Sequence, residues 1–118
     1  MDEVVDLQPK IVEKMINDNI VMIDIRREDE WLRTGLIKNA HTLTFFDEYG
    51  NHDIEKWMNE FKKLVTNQSQ TFVLICAHAR RTRSVGNFLI EQGYKNTSHL
   101  FGGMALWQQE LRHVEEYK

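Results

Sequence analysis

The chain has one cysteine and one proline in 118 residues. A single thiol cannot close an internal disulfide, so a disulfide framework is excluded and Cys76 is left as a packing residue, a reactive thiol or a lone ligand. One proline and six glycines leave no material for a low-complexity linker, and residues 1–118 are expected to form one domain. A chain of this length buries roughly two thirds of its unfolded surface without staples. Long apolar runs are missing too: none approaches the ~18 residues of a spanning helix, so no membrane partner is expected. The first twenty residues carry acids early and lack a continuous apolar stretch, which argues against a signal peptide and makes a cytoplasmic location the simplest expectation. Positive charge is scarce, with 15 Lys and Arg against 18 Asp and Glu and a net charge of −3. No nucleic-acid partner is expected, because that role needs a broad basic face.

What is present is an alternation of short apolar segments. Pro9 at a helix start, then Ile11, Val12, Met15 and Ile16 at helical spacing, predict a short amphipathic helix ending at Asn17–Asn19. Ile20 to Ile23, ending in Asp24, reads as a strand buried on both faces. The following R-R-E-D-E-W-L-R-T-G predicts a short helix closed by Gly35, with Arg27 to Glu30 as a solvated helix start. Ala40 to Phe45 has strand composition, and D-E-Y-G-N-H-D after it reads as a loop. Asp53 is placed to cap a helix whose stripe is Ile54, Trp57, Met58, Phe61, Leu64 and Val65. Thr71 to Ile75 is a second buried strand, followed by a helix from Thr82 carrying Val85, Phe88 and Leu89 and stopping at Gly93. Ser98 to Leu100 reads as a short strand, Gly102-Gly103 as a turn, and Met104 onward as a last helix with Leu106, Trp107 and Leu111. Strands alternating with helices imply a mostly parallel sheet covered on both faces, with ligands expected beyond the carboxyl ends of the strands.

One such end, residues 75–84, reads I-C-A-H-A-R-R-T-R-S. A cysteine between a buried strand and a helix lies where unpaired backbone N–H groups and the helix dipole favour negative charge. Three arginines add to this, and such surroundings favour the thiolate, the reacting form of cysteine. On local sequence alone an inert buried thiol remains an equal alternative.

From Cys76 to Trp107 the chain resembles the rhodanese-like (sulfurtransferase) family, in which a cysteine opens a six-residue loop, a helix follows, and then come G-Y, a short strand, G-G and W. Here the loop is C-A-H-A-R-R (Cys76 to Arg81), Thr82 begins the helix, Gly93-Tyr94 follow seventeen and eighteen residues after the cysteine, and H-L-F-G-G-M-A-L-W comes next. Upstream, I-D-I-R (Ile23 to Arg26), Glu30-Trp31 and G-L-I-K-N-A (Gly35 to Ala40) resemble the family's D-x-R strand end, acidic-aromatic pair and G-H-I-P-G-A. An alternative register, pairing Arg83-Ser84 with the family's arginine-serine, would put His78 at the nucleophile position. It shortens the span to Gly93-Tyr94 by two residues and is set aside.

The resemblance implies a three-layer α/β domain with a central five-stranded, mainly parallel sheet and helices on both faces. It implies that Cys76 takes a sulfane sulfur from a small anionic donor such as thiosulfate, becomes a persulfide, and passes the sulfur to a thiol or protein acceptor, without metal or organic cofactor. The amides of Ala77, His78, Ala79, Arg80, Arg81 and Thr82 would hold the transferred sulfur, and Arg81 would attract the donor. Many thiosulfate-using relatives carry arginine directly after the cysteine and glycine two positions further on, where this chain has Ala77 and Ala79; Leu36 and Lys38 stand where histidine and proline are common. Two further readings are a phosphatase or arsenate reductase of related fold, whose loop is one residue longer, and a non-catalytic binding module. Asp24 and Arg26 are expected as a structural ion pair, His78 as a solvated side chain, and Trp31, Trp57 and Trp107 as core, with Trp107 also walling the loop.

Overall fold

The computed structural model describes residues 3–118. In chain order the elements are β1 (Val5–Leu7), α1 (Pro9–Met15), β2 (Val21–Asp24), α2 (Glu28–Thr34), β3 (His41–Thr42), α3 (Ile54–Leu64), β4 (Phe72–Ile75), α4 (Arg80–Glu91), β5 (Thr97–Leu100) and α5 (Gly103–Gln109). The sheet order is β1-β5-β4-β2-β3, and every pairing is parallel.

β4 lies at the middle of the sheet, and all four of its residues are buried because both faces are covered. Its alternation divides the interior in two. Phe72, Leu74 and the adjoining Cys76 face one cluster, with Trp57, Phe61, Val85 and Leu89 from α3 and α4. Val73 and Ile75 face the other, with Val12, Met104 and Trp107 from α1 and α5. Full burial of a large apolar side chain contributes about 1.5–3 kcal/mol, so these two layers hold the strand ends in place.

The five parallel strands match the expected architecture, and three details differ. β1 is an additional edge strand that apolar pattern does not reveal, since it is three residues long and mostly exposed. β3 is shorter than the expected Ala40 to Phe45: pairing with β2 covers only His41 and Thr42, and the chain then continues as single bonds from Leu43 N–H to Asp24 O and Phe45 N–H to Ile25 O. The last helix stops at Gln109, and Leu111, expected on its apolar face, is 92% exposed at a φ of 58°. The segment after it turns back, bonding Leu36 to Glu115 and packing Tyr117 on Trp31. As expected, Asp53 caps α3 through Lys56 N–H, and Gly93 follows α4 with a φ of 97°.

Candidate active site

Cys76 follows β4 directly and is 1% exposed, its side chain on the α4 face of the sheet. Ala77, His78 and Ala79 form the connection to α4. Ala79 turns the chain through the left-handed region (φ 66°, ψ 10°), so that Arg80 is already helical. The helix therefore begins two residues before the expected Thr82, and Arg80 and Arg81 belong to its first turn rather than to a loop.

The loop is held by its carbonyls. Met104 N–H donates to Cys76 O at 2.8 Å and Ala105 N–H to Ala77 O at 3.0 Å. Because N–H and C=O of a peptide point in opposite directions, tying these oxygens to α5 turns the amides of Ala77 and His78 away from it. Gly103 makes this contact possible: a Cβ there would lie 2.4 Å from Ala77 O, and its φ is 61°. Among the described residues, no hydrogen bond is made by the N–H groups of Ala77 to Thr82. Six consecutive free donors at the start of a twelve-residue helix favour an anion beside the sulfur.

Thr82 is fully buried, and its hydroxyl lies 3.4 Å from Cys76 Sγ and 2.7 Å from His99 Nδ1. His99, on β5, is also fully buried, and its Nε2 lies 2.5 Å from Asp6 Oδ1 on β1. Burial pushes the His99 imidazole below its usual range, with the Asp6 bond offsetting only part of this. The His99 bond and the nearby charges of His99 and Arg83 hold the Asp6 carboxyl below its own range.

The three arginines have different surroundings. Arg81 makes a bidentate pair with Glu30, both N–O distances being 2.7 Å. Glu30 was expected in a solvated stretch but is buried, because α4 covers its end of α2. Burial raises the Glu30 carboxyl, and the Arg81 bonds and charge outweigh it, leaving the group below its usual range. The same bonds raise the Arg81 guanidinium. Arg83 pairs with Asp6 at 2.8 Å. Arg80 is exposed and has no carboxylate partner among the described residues, and His78 is exposed beside it. Hollows of ≈ 530 Å³, against Asp6, Ala79, Arg80 and Arg83, and ≈ 260 Å³, against Arg26, Ala77 and Met104, flank the loop.

Asp24 and Arg26 form the expected ion pair, with side-chain exposures of 0% and 1%. Arg26 donates to both Asp24 oxygens, to Thr34 Oγ1 and to Gly35 O, locking the end of β2 to the end of α2. Trp31, Trp57 and Trp107 are buried as expected. Sequence reasoning had no role for His99, Asp6 or the Glu30 side chain. The first two are 93 positions apart and meet only through the β1–β5 pairing. A histidine inside the buried T-S-H-L strand was the one available signal.

The rhodanese-like domain family matches residues 8–110. A curated relative named putative sulfurtransferase YtwF, from Bacillus subtilis, is 30% identical over 96 residues, 81% of each chain. Thiosulfate sulfurtransferase GlpE from Haemophilus influenzae is 26% identical over 102 residues, 86% of each chain. Among solved structures, the polysulfide-sulfur transferase of Wolinella succinogenes has a TM-score of 0.71 at 27% identity, covering 98% of this chain and 80% of that one. A rhodanese-related protein from Thermoplasma volcanium shares the fold, with a TM-score of 0.71 at 21% identity over 94% of this chain and 97% of that one. With its cysteine at the end of the central strand and the family pattern running across most of its length, the chain belongs to the rhodanese-like domain family.

Proposed function

We propose that this protein is a sulfurtransferase working through a persulfide on Cys76. The observation that carries the reading is the set of free amides from Ala77 to Thr82 around a cysteine at the start of α4, in a chain whose relatives are named sulfurtransferases. Cys76 sulfur, giving up its proton, attacks the outer sulfur of a donor such as thiosulfate; the S–S bond to the leaving group breaks, sulfite departs, and Cys76 carries –S–S⁻. The amides bind the negative terminal sulfur, as donors directed at a developing anion do. An acceptor thiolate, on a small molecule or a protein, then attacks that sulfur and releases Cys76.

Two features bear on the donor. Ala77 brings no cation where many thiosulfate-using relatives have arginine, and the Arg81 charge is offset by Glu30, leaving Arg80 as the guanidinium near the loop without a carboxylate partner among the described residues. Donors that spread their charge along a sulfur chain or carry it away from the reacting sulfur, polysulfides or persulfides, are therefore favoured over compact dianionic thiosulfate. The phosphatase reading is weaker, since the position of its sixth-residue arginine is held by Thr82, whose hydroxyl is engaged by Cys76 and His99.

The test is intact mass after incubation with thiosulfate, mercaptopyruvate, glutathione persulfide or polysulfide. The expected result is a gain of about 32 Da per sulfur, fastest with glutathione persulfide or polysulfide and lost in Cys76→Ala. Folded protein that gains no sulfur from any donor would overturn the reading in favour of a binding module.

A further inference from the structure

Asp6, His99 and Leu74 occupy one register line across β1, β5 and β4: Asp6 pairs with His99, and His99 with Leu74. Directly opposed residues of adjacent parallel strands project to the same face, here the face that carries Cys76 and is covered by α4. The result is a continuous polar chain through an otherwise apolar layer, from Cys76 Sγ to Thr82 Oγ1 (3.4 Å), to His99 Nδ1 (2.7 Å), and from His99 Nε2 to Asp6 Oδ1 (2.5 Å).

Hydrogen-bonding capacity fixes the direction of this chain. The Asp6 carboxylate accepts only, so Nε2 carries the imidazole proton and Nδ1 is a bare acceptor. Thr82 then donates its O–H to Nδ1, and its oxygen is left to accept from the Cys76 S–H. Two other charged groups of α4 face this chain: Arg81, paired with Glu30 and within charge–charge range of Cys76, and Arg83. The Arg83 Nη2 donates to Asp6 at 2.8 Å and lies 3.3 Å from Nε2, so it reinforces the carboxylate rather than competing for the imidazole proton.

We infer that His99, oriented by Asp6, is a positioning residue that receives the Cys76 proton through the Thr82 hydroxyl. This rests on Cys76 being the nucleophile. As Cys76 sulfur bonds to the donor, its proton passes to Thr82 Oγ1 and the Thr82 proton passes to Nδ1. An imidazolium forms against the Asp6 carboxylate, and Thr82 remains a neutral hydroxyl. When the acceptor thiolate later removes the outer sulfur, the same chain returns the proton to the departing Cys76 thiolate and restores neutral His99. Each half-reaction conserves protons and charge, and the imidazolium is shielded from water while the persulfide exists.

The inference is tested without any sulfur donor, by the pH dependence of Cys76 alkylation by iodoacetamide, followed by mass. His99→Asn and Thr82→Val are expected to slow alkylation at pH 7 on the order of tenfold or more. Their combination should be no slower than either alone, Thr82→Ser should restore most of the rate, and Asp6→Asn, on a half-exposed edge strand, should give an intermediate loss. An unchanged pH–rate profile in folded His99→Asn and Asp6→Asn, or additive losses in the double variant, would overturn it. Because alkylation needs no sulfur transfer, its His99 dependence separates failure of this inference from failure of the sulfurtransferase reading.

Discussion

The connections after β2 and β4 leave neighbouring parallel strands at the same end of the sheet, and they are finished in opposite ways. After β2, Arg26 directs its guanidinium to both Asp24 oxygens, Thr34 and Gly35, and the charge is fully partnered. After β4, the carbonyls of Cys76 and Ala77 are tied down by α5, while six successive amides from Ala77 to Thr82 make no bond among the described residues. A charge with every partner supplied is structural. A row of donors left without acceptors beside a cysteine is open to an anion, and the contrast separates a lock from a candidate site although both carry arginine.

The largest effect is expected where the lock is broken. Arg26→Met leaves Asp24 buried without its partner, and losing one member of a buried pair costs about 3–5 kcal/mol. Cys76→Ala should cost only about 1 kcal/mol, as an ordinary small core truncation, while abolishing sulfur uptake. Urea unfolding of both variants alongside persulfide mass measures the comparison; a stability loss in Cys76→Ala equal to that of Arg26→Met would erase it.

Glu30–Arg81 lies between the two regions, joining α2 to the first turn of α4. Glu30→Gln keeps the shape and removes the charge, at a cost of about 1.5–3 kcal/mol for hydrogen bonds to a charged group. It also frees the positive charge of Arg81, so thiosulfate is expected to gain on uncharged or singly charged donors in relative rate. An unchanged donor ranking would show that Arg81 contributes nothing to donor selection.

What was legible in the sequence follows the same division. T-F-V-L-I and the run ending in Asp24 announced their strands because they are buried on both faces. The helix start was displaced because Ala79 takes the left-handed turn itself, a conformation that alanine does not advertise. Glu30 follows Glu28 and Asp29, both exposed, and only a contact 51 positions away buries it. β1 has too few residues to show a period, so the Asp6–His99 pairing it creates was equally hidden.

The third prediction concerns pH. Burial holds the His99 imidazole below its ordinary value of 6.5, so unfolding releases a group that binds a solvent proton more readily than it does in the folded state. Below 6.5, and down to the lower folded value, the unfolded chain binds more protons and stability falls as pH falls, with a limiting slope of about 1.4 kcal/mol per pH unit for one proton. Glu30 acts in a different window: its contribution is present above 4.5 and is lost as pH drops through its depressed folded value. Denaturant midpoints between pH 5 and pH 7, roughly the range below the histidine reference value, should decline toward acid in the native chain and flatten in His99→Asn. An equal slope in both would remove His99 as the source.

The smallest effect is expected at the turn between the two kinds of construction. Ala79 has a φ of 66°, and the left-handed conformation costs an L-residue roughly 1–2 kcal/mol. Ala79→Gly removes that strain but enlarges the freedom of the unfolded chain by about 0.4–1 kcal/mol. The difference is a net stabilisation of about 0.8 kcal/mol at the midpoints of the two ranges, read as a slightly higher urea midpoint at unchanged slope. The amides of Ala77 and His78 keep their direction in this variant, since the carbonyls of Cys76 and Ala77 stay bonded to α5. A loss of stability instead would mean that the half-buried Ala79 packs more favourably than its backbone is strained, and that even the connection with free amides is held in part by side-chain contact.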